Sequence, residues 1–360
     1  MFAALVILST VISAASATKS LTVSTTVPSS LVADVNSLQV VTTIANTGDE
    51  TLKLLNDPDS PLSTWATRSF DVKNADGKDA EFNGVIVRYA PEVAAKSEDA
   101  SEWTLLAPGE SVDVTHDVGL YYDFSKTGAG EYTFTPANRF IAVESDGSLT
   151  DIIADISSAP SASLTGNLSA TRALAPENLG GSEDLRAEHA SGLQKRASYR
   201  SNCSASRQST NAGAITAGQS YATKSYNHLV ANTSGSTVWT TWFGAFAANR
   251  RTLALNSFNR LRTYPNQWTY DCSCTQTSTY AYIYRNEYGV VYLCGLYWNV
   301  PNTGSGSRAD TIIHEGSHFT QVLGTEDYTY GEASSKNLAR SSPTQAIYNA
   351  DNHAFFSVYV

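Results

Sequence analysis

The stretch DTIIHEGSHFTQVLGTEDYTYGEA, Asp310 to Ala333, decides how the second half of this 360-residue chain is interpreted. His314 and His318 are four residues apart, so a helix places both imidazoles on one face, where they can reach the same ion. Glu315 stands between them, as in the H-E-x-x-H pattern of metal-binding helices that carry a general base. The alternative is a helix with two histidines and no metal.

The residues around this motif complete a plausible site. Ser307 or Asp310 can cap the start of the helix, and Gly324 lies just past its last turn. A catalytic zinc site needs a third protein ligand and an open position for water. Asp327 is the candidate third ligand. If this segment is helical, Tyr330 lies on the same face as Asp327 and can donate to an oxyanion.

Both ends of the first half indicate an exported protein. Residues 1–17, MFAALVILSTVISAASA, are apolar, end in small residues and are too short to span a bilayer, so we predict a signal peptide. Residues 157–196 have the Ser, Ala, Gly and Pro content of a linker and end in the dibasic pair Lys195-Arg196, a processing site. We therefore expect a secreted, extracellular protein with a propeptide domain at 18–156 and a mature domain at 197–360.

The formal charge changes sign at this junction. Residues 1–196 contain 13 Lys and Arg against 26 Asp and Glu, whereas residues 197–360 contain 11 against 8. Opposite net charges favour an interaction between the halves, with the propeptide as inhibitor or folding aid. The alternative is that the acidic half is simply soluble. We expect a monomer that binds neither nucleic acid nor membranes.

The four cysteines, Cys203, Cys272, Cys274 and Cys294, all lie in the second half. A C-x-C pair lacks the usual spacer of a cysteine zinc site, and export favours disulfides. A bond from Cys272 to Cys274 would be strained. Cys203 therefore pairs with one of these two and Cys294 with the other, and both pairings stay open at this point.

The two halves have different secondary-structure patterns. Short alternating segments such as Ser37–Leu55 and Glu102–Val118, with turns between them, predict an all-β immunoglobulin-like sandwich. His116 falls in the polar phase of such a strand, which predicts a solvated imidazole. In the second half, the stretches 205–230 and 239–262 read as helices and 278–298 as a strand pair. This half is therefore predicted to be an α+β domain, rich in helix with a small antiparallel sheet.

HEGSH followed closely by GTEDYTYG resembles the paired signature of the aspzincins, the deuterolysin-like family of fungal zinc endopeptidases. The similarity extends over 197–360 through TTWFG, YDCSCT, YGVVYLCGLYW and NADNH, and is greatest to the peptidyl-Lys metalloendopeptidases of basidiomycetes. The resemblance implies a zincin-like domain with one Zn²⁺ per chain. It implies zinc ligands His314, His318 and Asp327, general base Glu315, oxyanion donor Tyr330, and disulfides Cys203–Cys272 and Cys274–Cys294.

The resemblance also implies protein and peptide substrates and a preference for lysine just after the cut. Asp351 matches an aspartate of the family's lysine pocket, but Ala354 stands where those relatives carry a glutamate. Losing one of two carboxylates should relax selection, so a broad deuterolysin-type protease is the first alternative. A secreted binding protein with a structural zinc is the second. The strand at 289–293 is a candidate edge for pairing with an extended substrate.

Overall fold

The computed structural model describes residues 18–170 and 197–360. The predicted signal peptide, the end of the predicted linker and Lys195-Arg196 lie outside the described residues. Within the described ranges, no helix combines the length and the apolar character needed to cross a membrane.

The first half is mainly β-strand. Its strands are β1 (Leu21–Thr26), β2 (Leu31–Asp34), β3 (Val40–Asn46), β4 (Leu52–Leu55), β5 (Phe70–Asn74), β6 (Glu81–Phe82), β7 (Val85–Tyr89), β8 (Trp103–Leu106), β9 (Ser111–His116), β10 (Tyr122–Asp123), β11 (Gly130–Pro136), β12 (Arg139–Val143), β13 (Leu149–Ile153), β14 (Asp155–Ile156) and β15 (Ser161–Asn167), with one turn of helix, α1 (Pro91–Ala94). They form sheets in the orders β14-β1-β3-β9, β2-β15-β11-β5, β13-β12-β4-β8 and β10-β6. Alternation of buried and partly exposed residues along β3 shows why these segments pair, because one face of each strand closes a core.

Two predictions for this half are wrong. The linker does not begin at 157, because β15 pairs antiparallel with β11 and parallel with β2. His116 is not solvated: it is 3% exposed, and its ring lies 4.9 Å from that of Phe70. His116 follows Val112 and Val114 at two-residue steps, so it lies on the less exposed face of β9, and alternation along the strand turns its side chain inward.

The second half mixes helices and strands, as predicted. Its elements are β16 (Ser198–Tyr199), α2 (Ala205–Ala231), α3 (Thr237–Phe243), α4 (Ala248–Leu261), β17 (Thr269–Asp271), β18 (Thr279–Tyr284), β19 (Val290–Leu293), α5 (Gly295–Asn299), α6 (Arg308–His318), α7 (Glu332–Ser341), α8 (Pro343–Ala346) and α9 (Ala350–Tyr359). The sheet has the order β16-β17-β19-β18-β7. It is not purely antiparallel as predicted, because β17 runs parallel to both β16 and β19.

β7 connects the two halves. It comes from the first half but pairs antiparallel with β18, with Val87 opposite Tyr282 and Ile86 opposite Ile283. β19 lies between β17 and β18, so the predicted substrate-pairing edge at 289–293 is wrong. Of the strands that belong to the second half, β18 is the one whose outer side faces β7. Sequence alone did not reveal this, because β7 and β18 are separated by nearly two hundred residues.

Helix α6 carries the H-E-x-x-H motif and packs against α2, α9 and α4. The Ser307 side chain caps it by accepting a hydrogen bond from the Asp310 N–H. A Cβ at Gly316 would lie 2.5 Å from the Trp268 ring and 2.6 Å from Leu261, so glycine lets α6 approach these side chains. Disulfides join Cys203 to Cys272 and Cys274 to Cys294, the pairing that the resemblance implies. They fasten the start of α2 and the end of β19 to the segment that follows β17.

Candidate metal centre

His314, His318 and Asp327 meet beside α6. His314 Nε2 lies 3.3 Å from Asp327 Oδ1, and His318 Nε2 lies 3.5 Å from Asp327 Oδ2. One ligand atom from each of the three side chains falls within 4.8 Å of the others. Two imidazole nitrogens and one carboxylate oxygen form a donor set that suits zinc.

The outer nitrogen of each imidazole is held by oxygen. His314 Nδ1 lies 2.8 Å from Asp351 Oδ1, and His318 Nδ1 donates to the carbonyl oxygen of Thr325 at 2.9 Å. A partner at Nδ1 fixes the tautomer and leaves Nε2 free to bind an ion. Both Nε2 atoms therefore face the interior of the cluster as potential ligands.

The atoms that face this interior have no hydrogen-bond partner within the described residues. They are the Nε2 atoms of His314 and His318 and both carboxylate oxygens of Glu315 and of Asp327. Leaving such buried polar atoms unpaired costs about 1–3 kcal/mol each, more when they are charged. A metal ion and its water would satisfy all of them, so the residues present fit a metal site.

The pKa values of the cluster residues shift in different directions. Burial lowers the pKa of His314, but the negative charge of Asp327 close to Nε2 and the hydrogen bond to Asp351 outweigh it and raise that pKa to about 10. Burial lowers the pKa of His318 to about 4, so its ring is neutral at pH 7. Burial also raises the pKa of Glu315 to about 8. Asp327 thus favours positive charge at the centre of the cluster, which is what a bound cation would supply.

Residues near the C-terminal end of the chain hold the loop that carries Asp327 by hydrogen bonds. Asn349 Oδ1 accepts hydrogen bonds from the N–H groups of Tyr328 (2.9 Å) and Thr329 (3.2 Å), and the Glu326 N–H donates to the carbonyl of Tyr348 at 2.8 Å. These bonds fix where Asp327 points. Asn349 has no reactive group, and the sequence signal for it was its place in the NADNH motif.

Tyr330 lies in this loop rather than on a helix, because the segment from Gly324 to Tyr330 is not helical. The prediction that Tyr330 and Asp327 share a helical face, which depended on a helix here, is therefore wrong. The hydroxyl of Tyr330 lies 2.9 Å from the carbonyl oxygen of Val87 in β7 and 3.0 Å from Asp59 Oδ2. The phenol thus points at a backbone carbonyl of the first half.

Asp351 and Ala354 both lie in the first turns of α9. Asp351 is 3% exposed, and its second oxygen accepts a hydrogen bond from the Gly331 N–H at 2.7 Å. Burial favours the neutral carboxyl, but its contacts with His314, Arg88 and Gly331 prevail and hold the pKa of Asp351 below its usual value. Ala354 is fully buried, and its methyl side chain offers no polar atom. Asp351 is thus a neighbour of the metal cluster as well as a candidate for contact with substrate.

Comparison with known proteins places this geometry in a family. Residues 228–358 match the aspzincin family model, described as a lysine-specific metallo-endopeptidase. The chain is 42% identical over 328 residues to a peptidyl-Lys metalloendopeptidase of Armillaria mellea, covering 91% of this chain and 88% of that protein. It belongs to the aspzincin family.

A second relative of this aspzincin is a peptidyl-Lys metalloendopeptidase of Grifola frondosa, 40% identical over 325 residues, which cover 90% of this chain and 88% of that protein. A solved structure of a zinc peptidase from Grifola frondosa is 43% identical, covers 43% of this chain and 96% of that one, and has a TM-score of 0.42. Membership of the family identifies the chain as a metalloendopeptidase. The resemblance read from the sequence motifs is confirmed.

Proposed function

We propose that this aspzincin is a secreted zinc endopeptidase that is made as a latent precursor and cuts peptide bonds before lysine. The proposal rests on the buried cluster of His314, His318 and Asp327, whose inward atoms lack partners beside an equally unpartnered Glu315. The carboxylate of Asp351 next to the cluster supports a basic residue after the cut. The names of the Armillaria mellea and Grifola frondosa relatives point the same way.

A zinc ion bound by the three ligands would lower the pKa of its water and polarise a substrate carbonyl. Glu315 takes a proton from the attacking water and passes it to the leaving amine. Both of its carboxylate oxygens lack hydrogen-bond partners within the described residues, so they are available to accept and release a proton beside the three ligands. Tyr330 donates to the oxygen of the attacked carbonyl and so stabilises the developing negative charge.

The first half serves as propeptide in this proposal. Residues 18–170, which include β15 and are proposed as an immunoglobulin-like sandwich, leave with the segment to 196 after cleavage at Lys195-Arg196, and residues 197–360 act as a monomeric enzyme. β7 supports an inhibitory role because it covers the outer side of β18, beside the metal cluster. The acidic balance of the first half against the basic balance of the second supports a role in folding as well.

The test uses the full chain, secreted from a eukaryotic host. Mass spectrometry of the secreted protein reports whether it begins at residue 197, and metal analysis reports the zinc content. The protein is then incubated with a denatured protein mixture, with and without a chelator, and the cut sites are mapped. Glu315→Gln serves as the inactive control, because it leaves the ligands in place.

Cuts before lysine that disappear with the chelator and with Glu315→Gln are expected. Chelator-sensitive cuts before many residue types would favour the broad protease. A correctly folded, zinc-bound protein that makes no cuts would leave the structural-zinc binding protein. A secreted chain that stays uncut near Lys195-Arg196 yet is fully active would contradict the latent precursor.

A further inference from the structure

β7 inserts a positive charge next to the metal cluster. The Arg88 side chain is 4% exposed, and its guanidinium donates to Asp310 Oδ2 and to Thr311 Oγ1, both at 2.8 Å. Its Cζ lies 4.8 Å from the centre of the Tyr280 ring. An unpaired charge would be too costly to bury at this position. The hydrogen bonds and the aromatic ring around Arg88 therefore define a binding pocket for a cation.

The two carboxylates near Arg88, those of Asp310 and Asp351, make different contacts. Both oxygens of Asp351 are engaged, one with His314 Nδ1 at 2.8 Å and one with the Gly331 N–H at 2.7 Å, and the nearer oxygen is 3.5 Å from the guanidinium. Asp310 makes the direct contact at 2.8 Å. Asp351 therefore orients a metal ligand and adds negative charge, while Asp310 is the carboxylate that a cation in this pocket touches.

The Asp310 carboxylate can also accept further hydrogen bonds. It is fully buried, its Oδ2 accepts a hydrogen bond from the Gly306 N–H at 2.7 Å, and its Oδ1 has no partner within the described residues. A free lone pair on a buried carboxylate can accept from the second or third N–H of an ammonium group. Lysine, with three donors at one nitrogen, can use both oxygens of Asp310 together with Thr311.

The backbone of β7 next to Arg88 lies in the position expected for the backbone of an extended substrate. The carbonyl of the preceding residue, Val87, lies 2.9 Å from the hydroxyl of Tyr330, the proposed oxyanion donor. β7 runs antiparallel along β18, the arrangement in which an extended peptide adds to a sheet edge. The Val87–Arg88 peptide group thus lies between the Tyr330 phenol and the cation pocket.

We propose that Asp310 selects the basic residue after the cut, in place of the glutamate that position 354 lacks, and that Arg88 of β7 fills this pocket as a substrate-like occupant of the precursor. The inference rests on the proposed function, because it names the residue that recognises the basic side chain of the substrate. It places the second carboxylate on α6, four residues before His314, rather than on α9. Relaxed selection does not follow from Ala354 when Asp310 supplies the charge.

The first experiment compares processed wild type, Asp310→Asn and Asp310→Glu on paired peptides that carry lysine or alanine after the cut. Asp310→Asn should lower the lysine-to-alanine ratio of kcat/KM at least about tenfold, whereas Asp310→Glu should retain most of it. Asp271→Asn, another buried aspartate in β17, is the matched control and should leave the ratio unchanged. A ratio within about twofold of wild type for Asp310→Asn, or an equal loss on both peptides, would overturn the assignment.

The second experiment needs no catalysis. Arg88→Met and Asp310→Asn are introduced singly and together into the uncut chain, and melting temperatures are measured. Direct contact predicts that each single change lowers the melting temperature and that the double change costs less than the sum. Simple additivity would refute the occupied pocket. If wild type makes no chelator-sensitive cuts but coupling is found, the proposed function fails and the Arg88–Asp310 contact stands.

Discussion

Asp351 lies 2.8 Å from His314 Nδ1 and links the last helix to the metal cluster. Asp351→Asn keeps the size of the side chain but removes the negative charge next to His314, a proposed zinc ligand. We expect zinc affinity to fall about 10–100-fold, as for other partners of ligand histidines. Competition with a chromophoric chelator measures this change. Unaltered affinity would mean that the Asp351–His314 contact does not tune the site.

Glu315 is the next test, because it lies in the cluster without being one of the three proposed ligands. Glu315→Gln should lower kcat/KM about 10²–10⁴-fold while zinc content stays near one per chain. Glu326→Gln, a change in the neighbouring loop whose native carboxylate pairs with Arg285, is the control and should retain activity. Loss of zinc in Glu315→Gln would instead indicate that Glu315 is a ligand.

Tyr330 is proposed to act in the transition state. Tyr330→Phe removes one donor to the oxyanion, so kcat should fall about 10²–10³-fold with little change in KM. Tyr328→Phe is a close control, because Tyr328 is in the same loop and is 48% exposed. Steady-state kinetics on one peptide decide the matter. A change confined to KM would assign Tyr330 to binding alone.

Arg88 can be tested in the uncut chain. With Lys195→Ala and Arg196→Ala blocking processing, Arg88→Met keeps the apolar stem but leaves Asp310 without its cation. We expect the residual activity of the uncut chain to rise at least about tenfold, because β7 is released more readily from the cleft. Lys126→Met, which breaks an exposed pair with Glu81 away from the cleft, should change nothing. If the blocked parent is as active as processed enzyme, β7 does not inhibit.

His116 makes the first half sensitive to acid. Burial lowers its pKa from 6.5 to about 4, so the unfolded chain binds a proton more readily than the folded chain between these values. The contribution to the free energy of unfolding is complete above pH 6.5 and is lost as the pH falls through about 4. It amounts to about 3 kcal/mol.

The comparison is between wild type and His116→Phe, which cannot titrate. Urea unfolding of the uncut chain at pH 7 and pH 4.5 should show a steeper loss of stability for wild type than for His116→Phe. Parallel loss in both proteins would remove His116 as a source of acid sensitivity.

The sequence predicted the parts of the site that are local. HEGSH lies on one helix, and Asp327 follows within ten residues, so spacing alone was enough to group them. Contacts that join distant segments escaped prediction: Arg88 and Asp310 are 222 residues apart, and nothing near either residue signals the other. The pairing of β7 with β18 was missed for the same reason. Alternation of apolar and polar residues does not distinguish a mixed sheet from an antiparallel one.

The pairing of β7 with β18 also bears on what the enzyme becomes after maturation. Departure of the first half would uncover a row of backbone N–H and C=O groups on β18, and open strand edges recruit other chains. If the first half leaves as proposed, this edge would be open to pairing with any extended polypeptide, including a neighbouring copy of the enzyme. Under the proposed maturation, the pairing of β7 with β18 would therefore protect the newly made chain from self-digestion and from association through this edge.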